Sequence, residues 1–583
     1  MKRSSPAGWV SILAMVVGCN GCPPSDDGRV TVEPMDVPLG AMYFCPYWAM
    51  HKLANTCNTR SDAPCAYASL GLPIIKLEDL RWQNIEARAP VNGVHSYDWS
   101  VLDDAVLRWE QVGAQHLQFH LTPYSSWAMQ DSRSIAEDLF GLDCDAAGKG
   151  CDDLPTNPKP EHWADWSSYV TALCERYDGD GIDDLEGLSY AHLDFELLNE
   201  GQNWAFYMGS SEDFEQLLQH TRSALDACNP DARIIHYGLT FNGIAHGGVD
   251  DAEYWDRVGD KVASLEPVLY GPGFLHAHAM MLGSPDPSAT VDVEPTLAMC
   301  DLFEVVDLHC NMSIEHMIEE HDLLRQKLDS YGCESVEIIC GDTTSGPSLY
   351  SPSELEWWDS SYGGEDSSGE AIHLALSDQY ATYDLLCNAD GVSTDLDLDQ
   401  ATAWYDHYHA AFLVKKAATA LGLGMTGFLA GLLEDWPAAS GCYWMHQGLT
   451  ESPVEALGLV AVDYGEPKPV YHSYRLLAEK LVGTQSIGRE IIDDVTVLTF
   501  DRGGADASPI RLVWYLDDYM PAPGQAELTR DFTLEVGTAA VQITQLVTAA
   551  DQDTPATETQ PTQGGVYHGV AGQTPVFIEP VVE

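Results

Sequence analysis

The stretch His192–Trp204, HLDFELLNEGQNW, decides how the rest of the chain is interpreted. It begins as a short apolar strand and stops abruptly at Asn199-Glu200, before an aromatic segment. Such a pattern predicts a carboxyl group at the rim of a barrel, because the C-terminal strand ends of a (β/α)8 barrel carry its chemistry. The alternative is a helix N-terminus, with Asn199 as the cap and Glu200 in the first turn.

The length and the charge of the chain limit its fold and its partners. At 583 residues it exceeds one compact core, so we expect two domains after a leader. The 28 Lys and Arg residues stand against 90 Asp and Glu residues, which gives a net charge of -62. Nucleic acid, an anionic membrane surface and a polyanionic substrate would all be repelled, so we expect none of them as a partner.

The N-terminus predicts export. Two basic residues precede the apolar run Trp9–Val17, which is too short to span a bilayer and has the pattern of a signal-peptide core. The run leads to Cys19 in VVGC, which resembles a bacterial lipobox and implies a lipid-modified Cys19. We expect a signal peptide over 1–19, a tether over 20–39 and a protein lipid-anchored to the outer membrane or cell surface. An ordinary secretory signal with a coincidental cysteine is the alternative.

Export also places the cysteines in an oxidising compartment, where disulfides are the default. Apart from Cys19 and Cys22, the spacings lack a CxxC pair or a His-Cys cluster of the zinc type. The pairs that we expect are Cys57 with Cys65, Cys144 with Cys151, and Cys300 with Cys333.

From about residue 40, short apolar runs alternate with helical patterns, which is typical of a parallel α/β fold. The interpretation is a (β/α)8 barrel over 40–484, with long loops that follow strands at 136–162, 243–298 and 343–400. Besides the opening stretch, the strands are predicted at Ala41–Tyr47, Leu72–Leu77, Gly113–Leu121, Arg233–Gly238, Phe303–His309, Val336–Cys340 and Thr426–Leu433.

The C-terminal segment 485–583 has a different character. It alternates like strands (VTVLTF, IRLVWYL, FTLEV) with turn residues between them and shows no helical period. The pattern predicts an all-β sandwich after the barrel.

Several segments resemble the clan A glycoside hydrolases, closest to the β-xylosidase/α-iduronidase group and cellulase-like families. The segments are IIKLEDLRWQNIEARAPVNGVHSYDWSVLDDAVLRW from residue 74, FELLNEGQNW from 195, VVDLHCN from 305 and GLVAVDYGEPKPVYHSYRLLAEKL from 458. In that clan an Asn-Glu at the fourth strand holds the general acid/base, and a Glu ending the seventh strand is the nucleophile. The resemblance therefore implies Glu200 as the acid/base, with Asn199 beside it.

The cleavage of a glycosidic bond itself requires a pair of carboxyl groups. Glycoside cleavage needs a protonated carboxylic acid at the leaving oxygen and a carboxylate on the opposite face of the sugar ring. Asp342 stands where the clan has its Glu nucleophile, with a side chain shorter by about 1.5 Å. This permits a retaining enzyme with an adjusted backbone, a shift toward inversion, or lost activity. Glu337, Glu434 and Asp435 are further carboxylates that could substitute.

The remaining candidates surround the sugar. His309 matches the clan's histidine on the sixth strand, whereas Asn311 replaces its tyrosine, and Lys76 replaces its arginine near the second strand. For His120, the alternative to contacting a sugar hydroxyl is a structural role. For Trp436, the alternative to stacking on a sugar is packing within the protein. The predicted substrate-binding residues are Asn199, Lys76, His120, His309, Asn311, Trp204 and Trp436.

A metal site is suggested before the fourth strand. Asp178, Asp180 and Asp183, with intervening glycines, resemble a calcium-binding turn, because Ca²⁺ prefers several oxygen ligands on a flexible loop. A chance cluster in an acidic chain is the alternative. No organic cofactor is implied.

Taken together, the sequence predicts a monomeric glycosidase that cleaves O-glycosidic bonds of a neutral oligo- or polysaccharide with a carboxylate pair and retention. It would touch the membrane only through its anchor. One rival is an inactive glycan-binding surface lipoprotein that has lost the Glu nucleophile. Another is a structural surface scaffold, which leaves Asn199-Glu200 unexplained.

Overall fold

The structure is a computed structural model. It describes residues 36–43, 67, 70–135, 155–202, 206–239, 293–310, 314–343, 346, 398–431, 467–503, 508–515, 521, 524 and 526–582.

Eight parallel strands form a closed barrel in chain order, with β1 pairing to β8. The predicted (β/α)8 barrel is confirmed. The last residues of β2 and β7 are mostly polar, so the apolar runs in the sequence end before these strands do. In the structure β2 continues to Arg81 and β7 to Thr343. The strands are β1 Leu39–Tyr43, β2 Ile74–Arg81, β3 His116–Thr122, β4 Asp194–Leu197, β5 Arg233–Leu239, β6 Val305–Cys310, β7 Glu337–Thr343 and β8 Gly427–Ala430.

The described helices surround the barrel and bury one face against it. The helix after β4 begins with a capping box, in which the Ser210 hydroxyl accepts from the Asp213 amide and the Asp213 carboxylate accepts from the Ser210 amide. The helices are α1 Trp82–Ile85, α2 Ser100–Gln111, α3 Trp163–Tyr177, α4 Ser211–Cys228, α5 Val293–Leu297, α6 Ile314–Ser330, α7 Leu398–Gly422 and α8 Pro469–Leu481. Within the described residues, none of them is long and apolar enough to cross a bilayer.

The chain turns sharply where β4 ends. Leu198 and Glu200 both have left-handed backbone conformations, with φ of 72° and 42°. Such conformations are costly for residues with a side chain and cluster at functional sites. Residues 199–202 form a bend and a turn, and the next described helix begins at Ser211, so the interpretation of Asn199-Glu200 as a helix N-terminus is wrong.

Two disulfides occur within the described part of the chain. Cys300–Cys333 joins the segments that lead into β6 and β7, which confirms that predicted pair. Cys174–Cys228 joins α3 to α4 and was not predicted, because its partners are 54 residues apart and meet only through helix packing. Cys19 and the two pairs predicted at Cys57–Cys65 and Cys144–Cys151 lie outside the described residues.

Antiparallel sheets follow the barrel, as the sequence predicted. A six-stranded sheet has the order β14-β13-β16-β11-β10-β9, and β12 pairs with β15. Apolar side chains of both sheets, among them Val497 and Phe532, share one core. The strands are β9 Ser486–Ile492, β10 Val495–Asp501, β11 Ile510–Tyr515, β12 Arg530–Glu535, β13 Ala540–Gln545, β14 Thr557–Pro561, β15 Val566–Ala571 and β16 Val576–Pro580.

Candidate active site

Two carboxyl groups meet one histidine at the C-terminal end of the barrel. His309 of β6 has its Nδ1 3.1 Å from Oε1 of Glu200, just past β4, and 3.7 Å from Oδ2 of Asp342 in β7. Asp342 is paired with His309 across the two strands. The Glu200 and Asp342 side chains are 15% and 11% exposed. The structure thus brings both predicted catalytic carboxyls to one point.

An ionic layer fills the barrel directly beneath this point. The Lys76 ammonium lies 2.7 Å from Glu196 Oε2 and 3.0 Å from Asp307 Oδ2, and all three side chains are fully buried. Gln118 donates to the same Glu196 oxygen at 2.6 Å. The three charged residues come from β2, β4 and β6, as expected for a layer contributed by alternate barrel strands.

The layer is tied to the rim through Asp307 and His309. Asp307 Oδ2 lies 3.6 Å from His309 Nε2, and the Gly341 amide donates to Asp307 Oδ1 at 2.6 Å. Burial alone would raise the pKa of Asp307, but Lys76 and His309 outweigh it and hold that pKa well below its usual range. Burial alone would likewise lower the pKa of His309. The facing carboxyls of Asp342, Asp307 and Glu200 reverse this and raise it well above its ordinary value.

The side chains of Glu196, Asp307 and His309 also have the composition of a metal site, with ligand atoms within 4.8 Å of one another. However, the Lys76 ammonium already lies between two of them at hydrogen-bonding distance. The ammonium occupies the position between the carboxylates where a metal ion would have to bind. The donor set therefore does not fit a divalent ion.

Two glycines make room for this arrangement. A Cβ on Gly238 in β5 would lie 1.7 Å from His309 Nε2, so the imidazole ring occupies the space that a side chain would need. A Cβ on Gly341 would lie 2.3 Å from Asp307 Oδ2. Both glycines are required by close approach across neighbouring strands, which a linear pattern does not reveal.

The predicted substrate-binding residues occupy different depths. Lys76 is fully buried in the ionic layer, and His120 is 2% exposed and paired with Glu196 across β3 and β4. Asn199 lies at the rim; its Oδ1 is buried and accepts no hydrogen bond from the described residues. Trp204, Asn311 and Trp436, together with the alternative carboxylates Glu434 and Asp435, lie outside the described residues.

A cation at the rim of β2 was missed. Arg81 ends that strand, pairs with Thr122 of β3, and has its guanidinium carbon 4.8 Å from the centroid of the Tyr124 ring. The sequence ended the strand at Leu77 and therefore assigned the positive charge to Lys76, which lies five residues deeper. Continuing the strand through the polar residues would have found Arg81.

Glu337 lies at the opposite end of the barrel. It begins β7, and its Oε2 is 3.1 Å from Arg233, which also binds Asp194 at 2.8 Å. A carboxylate at the N-terminal end of a strand cannot reach a sugar held at the C-terminal rim. The suggestion that Glu337 could replace Asp342 is therefore wrong.

The acidic turn before β4 brings together a slightly different trio from the predicted one. Ligand oxygens of Asp178, Asp180 and Asp184 lie within 4.8 Å of one another, and Asp183 is not part of the group. The Asp184 carboxylate accepts from the Gly179 and Gly181 amides at 3.0 and 2.6 Å. Backbone amides thus already satisfy part of the charge, and a calcium ion here stays a prediction.

No protein-family model matches the chain, and no curated protein matches it by sequence. Solved structures with a similar fold include a family 39 glycoside hydrolase from the gut symbiont Bacteroides cellulosilyticus WH2, with 13% identity, a TM-score of 0.50, and coverage of 95% of this chain and 83% of that one. A glucosidase from Croceicoccus marinus has 11% identity, a TM-score of 0.49 and coverage of 95% and 98%. A monomeric β-xylosidase from Caulobacter crescentus CB15 has 11% identity, a TM-score of 0.47 and coverage of 95% and 98%. At such identities the likeness concerns the fold alone, and the family 39 structure agrees at that level with the predicted barrel.

Proposed function

We propose that this chain is a glycosidase in which Glu200 is the general acid/base and Asp342 is the nucleophile. The observation that carries the proposal is the meeting of these two carboxyls, from strands that are not neighbours, on the same nitrogen of His309. A pair of partly exposed carboxyl groups at the C-terminal rim of a barrel is the arrangement that glycoside cleavage needs.

The spacing favours retention of the anomeric configuration. The Glu200 and Asp342 oxygens that face His309 lie 3.1 and 3.7 Å from one nitrogen, so those two oxygens are less than about 7 Å apart. Retaining enzymes hold their carboxyls about 5–5.5 Å apart, whereas inverting enzymes leave about 6.5–9.5 Å for a water molecule. Within this limit the shorter Asp342 side chain reaches the site because its strand continues to Thr343.

The reaction then runs in two steps. Glu200 gives its proton to the glycosidic oxygen as Asp342 attacks the anomeric carbon, which breaks the bond to the leaving alcohol and forms a glycosyl ester. Water next attacks the same carbon, Glu200 takes the water's proton, and the Asp342 carboxylate is released. His309 lies beside both carboxyls throughout, and the buried Asn199 Oδ1 is an acceptor suited to a sugar hydroxyl.

The substrate class follows from charge and from the reaction. The net charge of -62 opposes uronic-acid polymers and sulfated glycans, so the proposed substrate is a neutral oligo- or polysaccharide. Arg81 at the rim of β2 adds a donor for sugar hydroxyls.

The test is a panel of neutral glycans assayed with the wild type, Glu200→Gln and the control Glu186→Gln. Glu186 is an exposed residue before β4. We expect Glu200→Gln to lower kcat by about 10²–10⁴-fold, because it removes the general acid, and Glu186→Gln to match the wild type. Hydrolysis undiminished in Glu200→Gln would rule out the assignment. Glycan binding without hydrolysis by the wild type would instead support the rival surface-binding protein.

The stereochemistry of the product is a second, independent test of the proposed mechanism. We expect the first product formed by the wild type to keep the anomeric configuration of the substrate, because the limit on the oxygen spacing includes the whole retaining range and excludes most of the inverting range. Proton NMR of the anomeric signal in the first minutes of reaction measures this. An inverted product would assign Asp342 as a base for water instead of a nucleophile.

We also propose that the enzyme works outside the cytoplasm, anchored through Cys19. The two disulfides among the described residues favour an oxidising compartment. Labelling of cells with an alkyne fatty acid should tag the wild type and not Cys19→Ser. Equal labelling of both proteins would refute the anchor.

A further inference from the structure

We propose that Asp307, held in place by Lys76 and Gly341, is a positioning residue that keeps both ring nitrogens of His309 protonated. One N–H then faces Asp307, and the other is shared by Glu200 and Asp342. For its catalytic consequence, this inference rests on the proposed glycosidase function. The protonation state of the ring can be measured without any substrate.

The first support is the placement of carboxylates on both sides of one buried ring. His309 Nε2 lies 3.6 Å from Asp307 Oδ2, and Nδ1 lies 3.7 Å from Oδ2 of Asp342, the carboxylate that the proposed reaction needs in its ionised form. A neutral imidazole has one N–H and one lone pair, so one of its nitrogens would turn a lone pair toward a carboxylate oxygen. Only the doubly protonated ring presents a donor in both directions.

The second support is that Asp307 is fixed before it meets the histidine. Its Oδ1 accepts from the Gly341 amide at 2.6 Å, and its Oδ2 accepts from Lys76 at 3.0 Å. These contacts favour the ionised carboxylate, which is the form that attracts a cationic ring. Lys76 in turn is shared with Glu196 at 2.7 Å, so the anchor extends to β2 and β4.

The third support is that the ring has one position available. The imidazole lies directly against the Cα of Gly238, and the side chain of His309 is fully buried. At this point β5 contributes Gly238, which has no side chain. Within the described part of the chain, the charged groups around the ring are Glu200 after β4, Asp342 from β7 and Asp307 from β6, with Lys76 and Glu196 behind Asp307.

The consequence for catalysis is a fixed positive charge between the two working carboxyls. The ring N–H beside Glu200 and Asp342 holds both side chains in a defined orientation through charge-assisted contacts. This effect does not require Asp307 to touch the sugar. Asp307 therefore acts through His309.

The test measures the protonation state of the His309 ring directly. Protein labelled with ¹⁵N-histidine is titrated from pH 5 to pH 9, and the His309 signal is identified by its loss in His309→Gln. We expect the wild-type ring to remain doubly protonated at pH 8 and the Asp307→Asn ring to be neutral by pH 7. The matched control Glu196→Gln removes the carboxylate of the same layer that pairs with Lys76 at 2.7 Å, and its ring, which keeps Asp307, should remain doubly protonated at pH 8.

The activity of the same proteins separates the two proposals. In Asp307→Asn we expect kcat to fall about 100-fold with KM changed less than about threefold, because the carboxyls are misplaced while the sugar contacts remain. A wild-type ring that is neutral at pH 7, or an unchanged ring in Asp307→Asn, overturns the positioning role. If Asp307→Asn does not fold, the wild-type titration alone decides. A wild type that cleaves no glycan but keeps the doubly protonated ring refutes only the proposed glycosidase.

Discussion

The backbone at Gly238 determines whether His309 can stand between the two carboxyls. A methyl group there would lie 1.7 Å from the ring nitrogen, and the fully buried ring has no open side to move into. We therefore expect Gly238→Ala to lower kcat about 100-fold or more, by displacing the imidazole from Glu200 and Asp342.

The matched control for this change is Gly488→Ala in β9, where an added methyl meets nothing within 4 Å. It should keep wild-type activity. Circular dichroism verifies that both variants are folded, and initial rates on the best glycan of the panel measure the effect. A folded Gly238→Ala protein with normal kcat would show that the position of His309 is not critical.

The sequence identified Glu200, His309 and Lys76 but missed Asp307 and Gly238. Glu200 stands out because a polar pair ends an apolar run, whereas His309 and Lys76 were found through the resemblance to the clan. Asp307 lies two positions before His309 and therefore on the same face of β6, a relation that the period of a strand does contain. Gly238 was invisible, because its role depends on a side chain from the neighbouring strand.

Among the strands, β5 gives the clearest pH dependence. Its His236 is fully buried against the rings of Phe214, Tyr237 and Phe303, and its Nε2 lies 3.0 Å from the Thr296 hydroxyl. Burial lowers the pKa of His236 from 6.5 to about 3, with the Tyr237 carbonyl opposing it slightly. The folded state therefore holds this histidine neutral.

The sign of the effect follows from proton linkage. Below pH 6.5 the unfolded chain binds a proton at His236 that the folded chain does not. The stability that this residue contributes is full above pH 6.5 and falls by about 1.4 kcal/mol per pH unit toward pH 3. Urea unfolding at pH 7.5 and pH 5.0 measures it. We expect the loss between these pH values to be smaller by about 2 kcal/mol in His236→Gln than in the wild type.

The exposed His568 provides the control, because His568→Gln should leave the pH dependence as it is in the wild type. An equal loss of stability in His236→Gln and the wild type would mean that His236 is not held neutral. The strand itself was predicted from its apolar pattern. The burial of a histidine within it was not, since only the packing of α4 and the segment before β6 against β5 creates that environment.

At the scale of the whole molecule, the barrel and the sheets share one hydrophobic core. Leu498, Leu512, Trp514 and Phe577 of the sandwich strands are buried in the same cluster as the barrel. The sequence could separate the two segments by their periodicity, because helical and strand patterns differ. It could not show that their surfaces are continuous, since that depends on which faces of α7 and α8 turn outward.

Polar contacts reinforce this shared core. The Ser473 hydroxyl of α8 donates to the Val547 carbonyl at 2.7 Å and accepts from the Val547 amide at 3.0 Å. The Trp404 indole of α7 donates to the Pro521 carbonyl at 2.9 Å. Both helices therefore have their outer sides in contact with the C-terminal segment.

We therefore expect a chain that ends at residue 484 to be insoluble, because it would expose the apolar faces of α7 and α8 to water. Trp514→Ala, which cuts into the shared core, should lower the free energy of unfolding by about 3–5 kcal/mol, whereas Leu528→Ala, at a residue 45% exposed, should change it little. Solubility, circular dichroism and thermal melts of the three proteins measure these effects. A truncated chain that stays soluble and melts within a few degrees of the full protein would show that the barrel folds independently, and the shared core would then be a docking surface between two autonomous domains.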